Sequence, residues 1–201
     1  MSNRGVWMGG LVASTCVVAS AAGLLRLEAW NADRKQAKQD ALATVQEMYD
    51  LISGPAGEAR DWERFRAMFA EGGRLTFFTQ GRPAQGDQVG TPPRMISWTP
   101  EEYVEKAGAH MASNPFYEHS TWDNAQVFGR MAHVMSAYET TVEPGGEAVA
   151  RGVNSFQLVR DPNDPAAGWK VLLICWDTES PERPIPAEMT QMNQANVPTD
   201  D

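Results

Sequence analysis

Two apolar runs near the C-terminal end, residues 148–159 (AVARGVNSFQLV) and 169–177 (WKVLLICWD), constrain the fold more than any other part of the chain. Both are rich in β-branched and aromatic residues, and DPNDPAAG separates them. Two such runs joined by Asp, Pro, Asn and Gly read as an antiparallel hairpin. Its faces are fixed by the two-residue period of a strand: Ala150, Gly152, Asn154, Phe156 and Leu158 on one, Arg151, Val153, Ser155 and Gln157 on the other. A strand pair this apolar needs more sheet beside it and helices against one face.

The upstream segments supply both. Leu42, Val45, Met48, Tyr49 and Ile52 recur every three or four residues and mark one helical face, which Ser53-Gly54-Pro55 ends. Trp62, Phe65, Met68 and Phe69 form a shorter apolar face, and RLTFFT (74–79) reads as a strand. Residues 80–97, rich in Gly and Pro, make a long loop with a short strand at 95–98. Thr99-Pro100-Glu101-Glu102 opens a third helix with a capping box; Tyr103, Val104, Ala107 and Met111 form its buried face, and His110 falls on the same side. Strands over 121–128 and 131–142 come next, bent at Gly129. Pro181, Pro184 and Pro186 then suggest an extended strap, with a disordered tail over residues 187–201. Helices first and strands last predict an α+β fold: three helices packed on a strongly bent antiparallel sheet that curls around the first helix.

Residues 6–25 are uncharged and largely apolar, between Arg4 and Arg26. Their length suits a bilayer crossing, and Ala19-Ser20-Ala21 also fits a secretory cleavage site. Residues 1–26 are therefore expected to be a signal peptide or a membrane anchor. Either places the folded part outside the cytoplasm, exported to the periplasm or tethered to the inner membrane. Residues 27–40 are a polar spacer or helix start, and residues 41–186 hold the domain. A net charge of −9 with no basic patch argues against nucleic acid as a partner. Cys16 and Cys175 lie in unrelated segments and do not suggest a disulfide. No Cys/His spacing fits a metal, no cofactor motif is present, and neither a G-x-S-x-G nor a phosphate loop occurs.

The segments MYDLISGPAGEARDWERFRAMFAEGGRL, WTPEEY and ARGVNSFQLV…WKVLLICWD resemble the nuclear-transport-factor-2-like superfamily, and within it the SnoaL-like bacterial proteins. The resemblance covers residues 41–186 and implies a cone-shaped α+β roll with a pocket at its open mouth, commonly a homodimer. Relatives include isomerases, dehydratases and cyclases, and also proteins that only bind or dimerise, so the fold selects no activity. The ketosteroid-isomerase branch requires a carboxylate base on the first strand and two donors, a helix tyrosine and a late-strand acid. Tyr49 falls at the helix tyrosine and Asn154 at the strand acid, but the base position falls at or near Phe77, which moves no proton. Isomerase chemistry of that type is not expected.

By the same resemblance the Asn154 face lines the cone, and Leu172, Ile174 and Trp176 partner it on the next strand. The residues expected to touch a small, mostly apolar ligand are Tyr49, Phe77, Trp98, Tyr103, Asn154, Phe156, Ile174 and Trp176. Against this stands a closed core in which these polar atoms satisfy one another. His110 is either a packed histidine or a proton carrier. Glu118 either pairs with Arg130 or Arg151, or sits desolvated at the mouth as a general base. Three functions remain open. One is ligand binding. Another is a lyase, isomerase or hydratase using His110 or Glu118 with Tyr49 and Asn154. The last is a dimerising interaction module.

Overall fold

The computed structural model describes residues 13–81 and 90–190. Helix α1 spans Ala13–Ile52, α2 Trp62–Ala67 and α3 Pro100–Ser113; the strands are β1 Phe69–Thr79, β2 Arg94–Trp98, β3 Tyr117–Phe128, β4 Met131–Thr141, β5 Ala150–Val159 and β6 Lys170–Thr178. Residues up to Ala37 and residues from Lys38 onward form two compact units. In the first, Leu24, Leu25, Leu27 and Trp30 are exposed, and the Arg34 guanidinium lies 5.2 Å over the Trp30 ring. Among the described residues no helix is long and apolar enough to cross a membrane. The start of the apolar run 6–25 and residues 191–201 of the expected tail lie outside the described residues. Residues 27–40, which the sequence reads as a spacer or helix start, are helical throughout.

The second unit is one six-stranded sheet in the order β2-β1-β6-β5-β4-β3. Every junction is antiparallel except β1–β6, which runs parallel. The expected all-antiparallel sheet is corrected at that one junction. Chain entering β6 has already passed through β2, α3 and three further strands, so its direction beside β1 is set by topology and not by a local turn. The β5–β6 hairpin and the two-residue Gly129-Arg130 connection between β3 and β4 are as anticipated.

Alternation along β5 is as the sequence implies: Gly152, Asn154, Phe156 and Leu158 are buried, while the residues between them are half-buried. The opposing residues of β4 are in phase, because Val134 pairs with Phe156, Ser136 with Asn154 and Tyr138 with Gly152. Gly152 is required for close approach, since a Cβ there would collide with the Tyr138 hydroxyl and the Asp177 carbonyl oxygen. Three register shifts interrupt the sheet, one of them between Phe69 and Arg74 in the β1–β6 pair. The β3–β4 register shifts between Ser120 and Trp122, and the β5–β6 register shifts so that Leu158 faces Val171 while Gln157 faces Leu173. The β5–β6 shift leaves Leu172 unpaired and 42% exposed. Simple alternation puts Leu172 on the inner face; the bulge turns it out and puts Val171 in its place.

Helix α3 begins as its capping box requires. The Thr99 Oγ1 accepts from the Glu102 amide at 3.1 Å, and the Glu102 Oε2 accepts from the Thr99 amide at 2.8 Å. The C-terminal end of α1 is held differently. Arg60 is buried and turned inward. Its guanidinium donates to the carbonyls of Ile52 (3.3 Å), Gly54 (2.5 Å), Pro55 (2.8 Å) and Glu58 (2.7 Å). A helix end leaves carbonyls unsatisfied, and a planar fork of five donors suits them. Gly54 leaves the space, because a Cβ there would sit 2.9 Å from the guanidinium carbon. Neighbouring Arg64 does remain at the surface, paired with Glu47 at 2.6 Å.

Arg60→Ala is expected to lower unfolding stability by about 2–4 kcal/mol, since buried acceptors lose charge-assisted partners. Arg60→Lys should recover less than half, because an ammonium cannot reach all four carbonyls. Urea denaturation of the three proteins measures this; full recovery by Lys would reduce Arg60 to a point charge.

Candidate functional site

The inner face of the curled sheet and the three helices enclose a cavity of about 430 Å³, open to solvent on one side. α1 contributes Met48, Tyr49 and Ile52, α2 Phe65, and α3 Tyr103, Ala107, His110 and Met111. The sheet contributes Leu75 and Phe77 from β1, Trp98 from β2, Glu118 from β3, Tyr138 and Thr140 from β4, Asn154 and Phe156 from β5, and Ile174 and Trp176 from β6. Strand alternation explains the membership. Leu75 and Phe77 pair with Ile174 and Trp176, and all four point inward.

One wall is aromatic. Phe77 stacks on Trp176 with ring centroids 4.8 Å apart and planes 14° from parallel, and meets Trp98 edge-on, also at 4.8 Å. Trp98 in turn contacts Tyr103 at 6.4 Å, and Tyr103 stacks on Phe65 at 5.2 Å. Rings locked by their neighbours in this way resist folding into the space they border.

The polar end is built on buried side chains. The Asn154 Nδ2 donates to the Tyr49 hydroxyl at 3.0 Å, and that hydroxyl lies 2.7 Å from the Ser136 Oγ. The Thr140 Oγ1 donates to the Glu118 Oε2 at 3.0 Å, and the Asn154 amide lies near enough to the carboxyl to favour its ionised form. The Glu118 backbone is fixed too: its amide donates to the Ser53 Oγ at 3.0 Å, just past the end of α1. The residue is half-buried and borders the cavity, with its carboxyl largely withdrawn from solvent. Burial pushes the Glu118 carboxyl up to about 7, against the opposing effect of Thr140 and Asn154. Burial likewise raises the Tyr49 and Tyr103 phenols, with the nearby Glu118 adding to both. Tyr138 is raised to about 12 by burial, its bond to Thr178 opposing. Among the described residues the Tyr103 hydroxyl has no hydrogen-bond partner.

The residues singled out from sequence thus border a single space: Tyr49, Phe77, Trp98, Tyr103, His110, Glu118, Asn154, Phe156, Ile174 and Trp176. Their environments differ from expectation in three respects. Tyr49 is 1% exposed and its hydroxyl is engaged with Ser136 and Asn154, so it braces the wall. His110 is exposed at the rim, its Nδ1 3.3 Å from the Asn114 Nδ2. Helical spacing puts it on the buried face, but α3 turns that part of itself toward the mouth. Glu118 pairs with neither Arg130 nor Arg151. Arg151 lies on the other face of the sheet, 3.2 Å from Glu139 and 3.4 Å from Glu179. Sequence reasoning missed Tyr138 and Thr140. Alternation along β4 in phase with Asn154 was the signal that would have found them.

No protein-family model matches the chain, and no curated protein does. Solved structures do. A protein of unknown function with a cystatin-like fold from Nostoc punctiforme superposes with a TM-score of 0.50 at 14% identity, covering 72% of this chain and 92% of that one. A nuclear transport factor 2-like superfamily protein from Salmonella enterica serovar Typhimurium also gives a TM-score of 0.50, at 12% identity, covering 73% of this chain and 93% of that one. At such identities the likeness shows the fold: this chain has the nuclear transport factor 2-like α+β fold, three helices on a curled, unclosed sheet.

Glu118→Gln tests the electrostatics. The folded protein holds the Glu118 proton up to about pH 7, whereas an unfolded glutamate releases it near 4.5. Between those values the folded state binds more protons, so this group's contribution to stability falls as pH rises. The melting temperature of Glu118→Gln relative to the parent should therefore increase from about pH 5 to about pH 8. Scanning calorimetry across that range checks it, and a constant difference would mean a carboxyl in water.

Proposed function

We propose that the curled sheet and its helices hold a small, mostly apolar molecule, with Glu118 as its principal polar contact. The observation that carries this reading is a cavity of about 430 Å³ that combines an aromatic wall with a desolvated carboxyl. Protein interiors close over unused space, and pockets for small molecules run from about 300 to 1,000 Å³ with a few convergent polar groups. Native mass spectrometry of the chain purified from its own host is expected to show a bound small molecule. Ala107→Phe, which fills the space from α3, should lose it without lowering the melting temperature. A parent protein of bare polypeptide mass would count against the reading.

A second reading, an enzyme of the lyase, isomerase or hydratase kind, is favoured by one feature. Glu118 is poised to exchange a proton near neutral pH, beside the unpartnered Tyr103 hydroxyl. The resemblance puts the isomerase base at or near Phe77, which moves no proton, so on this reading proton transfer falls to Glu118 from β3. In deuterated water the co-purified molecule should then gain deuterium on the protein. Glu118→Gln should slow this by about 100-fold or more, within the range of general acid–base catalysis, and His110→Gln should leave it unchanged. Equal loss in both variants would move the role to His110.

A further inference from the structure

The Glu118 carboxyl enters the cavity with no positive charge opposite it. The groups facing it from the surrounding elements are neutral: Tyr49 on α1, Tyr103 on α3, Tyr138 and Thr140 on β4, and Asn154 on β5. His110 stands at the rim, and among the described residues no Lys or Arg lines the space. The Thr140 hydroxyl donates to the carboxyl and the Asn154 amide lies beside it, an arrangement that favours its ionised form. A carboxylate has about four lone-pair sites, so most of its acceptor capacity is free. The site is therefore arranged for an anion yet lacks the counter-charge that makes a buried anion stable.

The same space presents the Phe77, Trp98, Tyr103 and Trp176 rings, and aromatic faces attract cations. The chain's net charge of −9 draws cations toward it and repels anions. On the reading of this cavity as a ligand pocket, we infer that its ligand is an organic cation: an ammonium or amidinium group held at Glu118, with an apolar body against the Phe77–Trp98–Trp176 wall. A neutral ligand would leave the carboxylate unpaired, and an anionic one would oppose it.

Two probes of nearly equal shape separate charge from fit. Benzyltrimethylammonium carries a fixed positive charge at every pH, and neopentylbenzene is its neutral carbon isostere. Titrations of the full chain, followed by tryptophan fluorescence from the Trp98–Trp176 wall, are expected to show the cation binding about tenfold or more tightly at pH near 8. That preference should shrink to nearly none at pH near 5.5, where Glu118 is protonated. In Glu118→Gln, which keeps the shape and can still accept from Thr140, the preference should lose its pH dependence and fall to the small remainder that the aromatic faces supply, while neopentylbenzene binding is unchanged. His110→Gln should retain the pH dependence, which separates Glu118 from the histidine at the rim. Equal binding of the two probes to the parent would overturn the cation inference and leave the pocket standing. Binding of neither would overturn both. A preference that survives undiminished in Glu118→Gln would remove Glu118 as its source.

Discussion

The hydroxyl of Tyr49, held between Ser136 and Asn154, is the contact on which the arrangement of the cavity depends. It joins the last turns of α1 to the middle of β4 and β5, and no water competes for it, since Tyr49 and Asn154 are both almost fully buried. A polar group placed this deep must be satisfied, and each of the three can be satisfied only if the helix lies at one height and one rotation over the sheet. Apolar packing around Val45, Phe156 and Val134 supplies the bulk of the stabilisation but tolerates sliding. The hydrogen bonds remove that freedom. Arg60 completes the restraint by gathering the carbonyls where α1 ends, and the Ser53 hydroxyl ties the same point to the Glu118 backbone. Cavity geometry is thereby set from one end of one helix.

Fixing the helix there has a consequence for Glu118. Asn154 donates to the Tyr49 hydroxyl and lies close enough to the Glu118 carboxyl to favour its ionised form. The structural network and the only carboxylate bordering the cavity, among the described residues, are therefore neighbours. The charge on Glu118 is felt by the Tyr49 phenol, which it raises. Because buried hydrogen bonds polarise one another, substitutions at these three residues should not be additive.

Much of this is legible in the sequence because it rests on short-range rules. The two-residue period assigns Gly152, Asn154, Phe156 and Leu158 to one face, and the Thr99–Glu102 pair fixes the start of α3. The illegible features are those set by distant chain. The parallel β1–β6 pairing depends on the path of everything between the two strands. The bulge at Leu172 inverts a residue that simple alternation places inside, and nothing in WKVLLICWD marks where the register slips. Arg60 reads as one more charge on a polar helix face, yet it is buried because the carbonyls at the end of α1 come from the preceding turn of chain. An arginine partner for Glu118 is the natural expectation because acids and bases usually find each other. The half-turn of strand that separates Arg151 from the inner face prevents it.

The location of the acid also separates this site from the isomerase pattern that its fold first suggests. The resemblance sets a carboxylate on the first strand, at or near Phe77; here Phe77 stacks on Trp176 and meets Trp98 edge-on, so that side of the cavity is apolar. Tyr49, which the resemblance sets at the helix tyrosine, has its hydroxyl committed to Ser136 and Asn154 and braces the wall. Polarity in the cavity comes from β3, where Glu118 faces the Tyr103 hydroxyl, which has no hydrogen-bond partner among the described residues. A molecule bound here meets its acid from the α1–β3 side and an aromatic surface from the β1–β2–β6 side. Orientation of any ligand is governed by that division, and it is a property of these side chains and not of the fold.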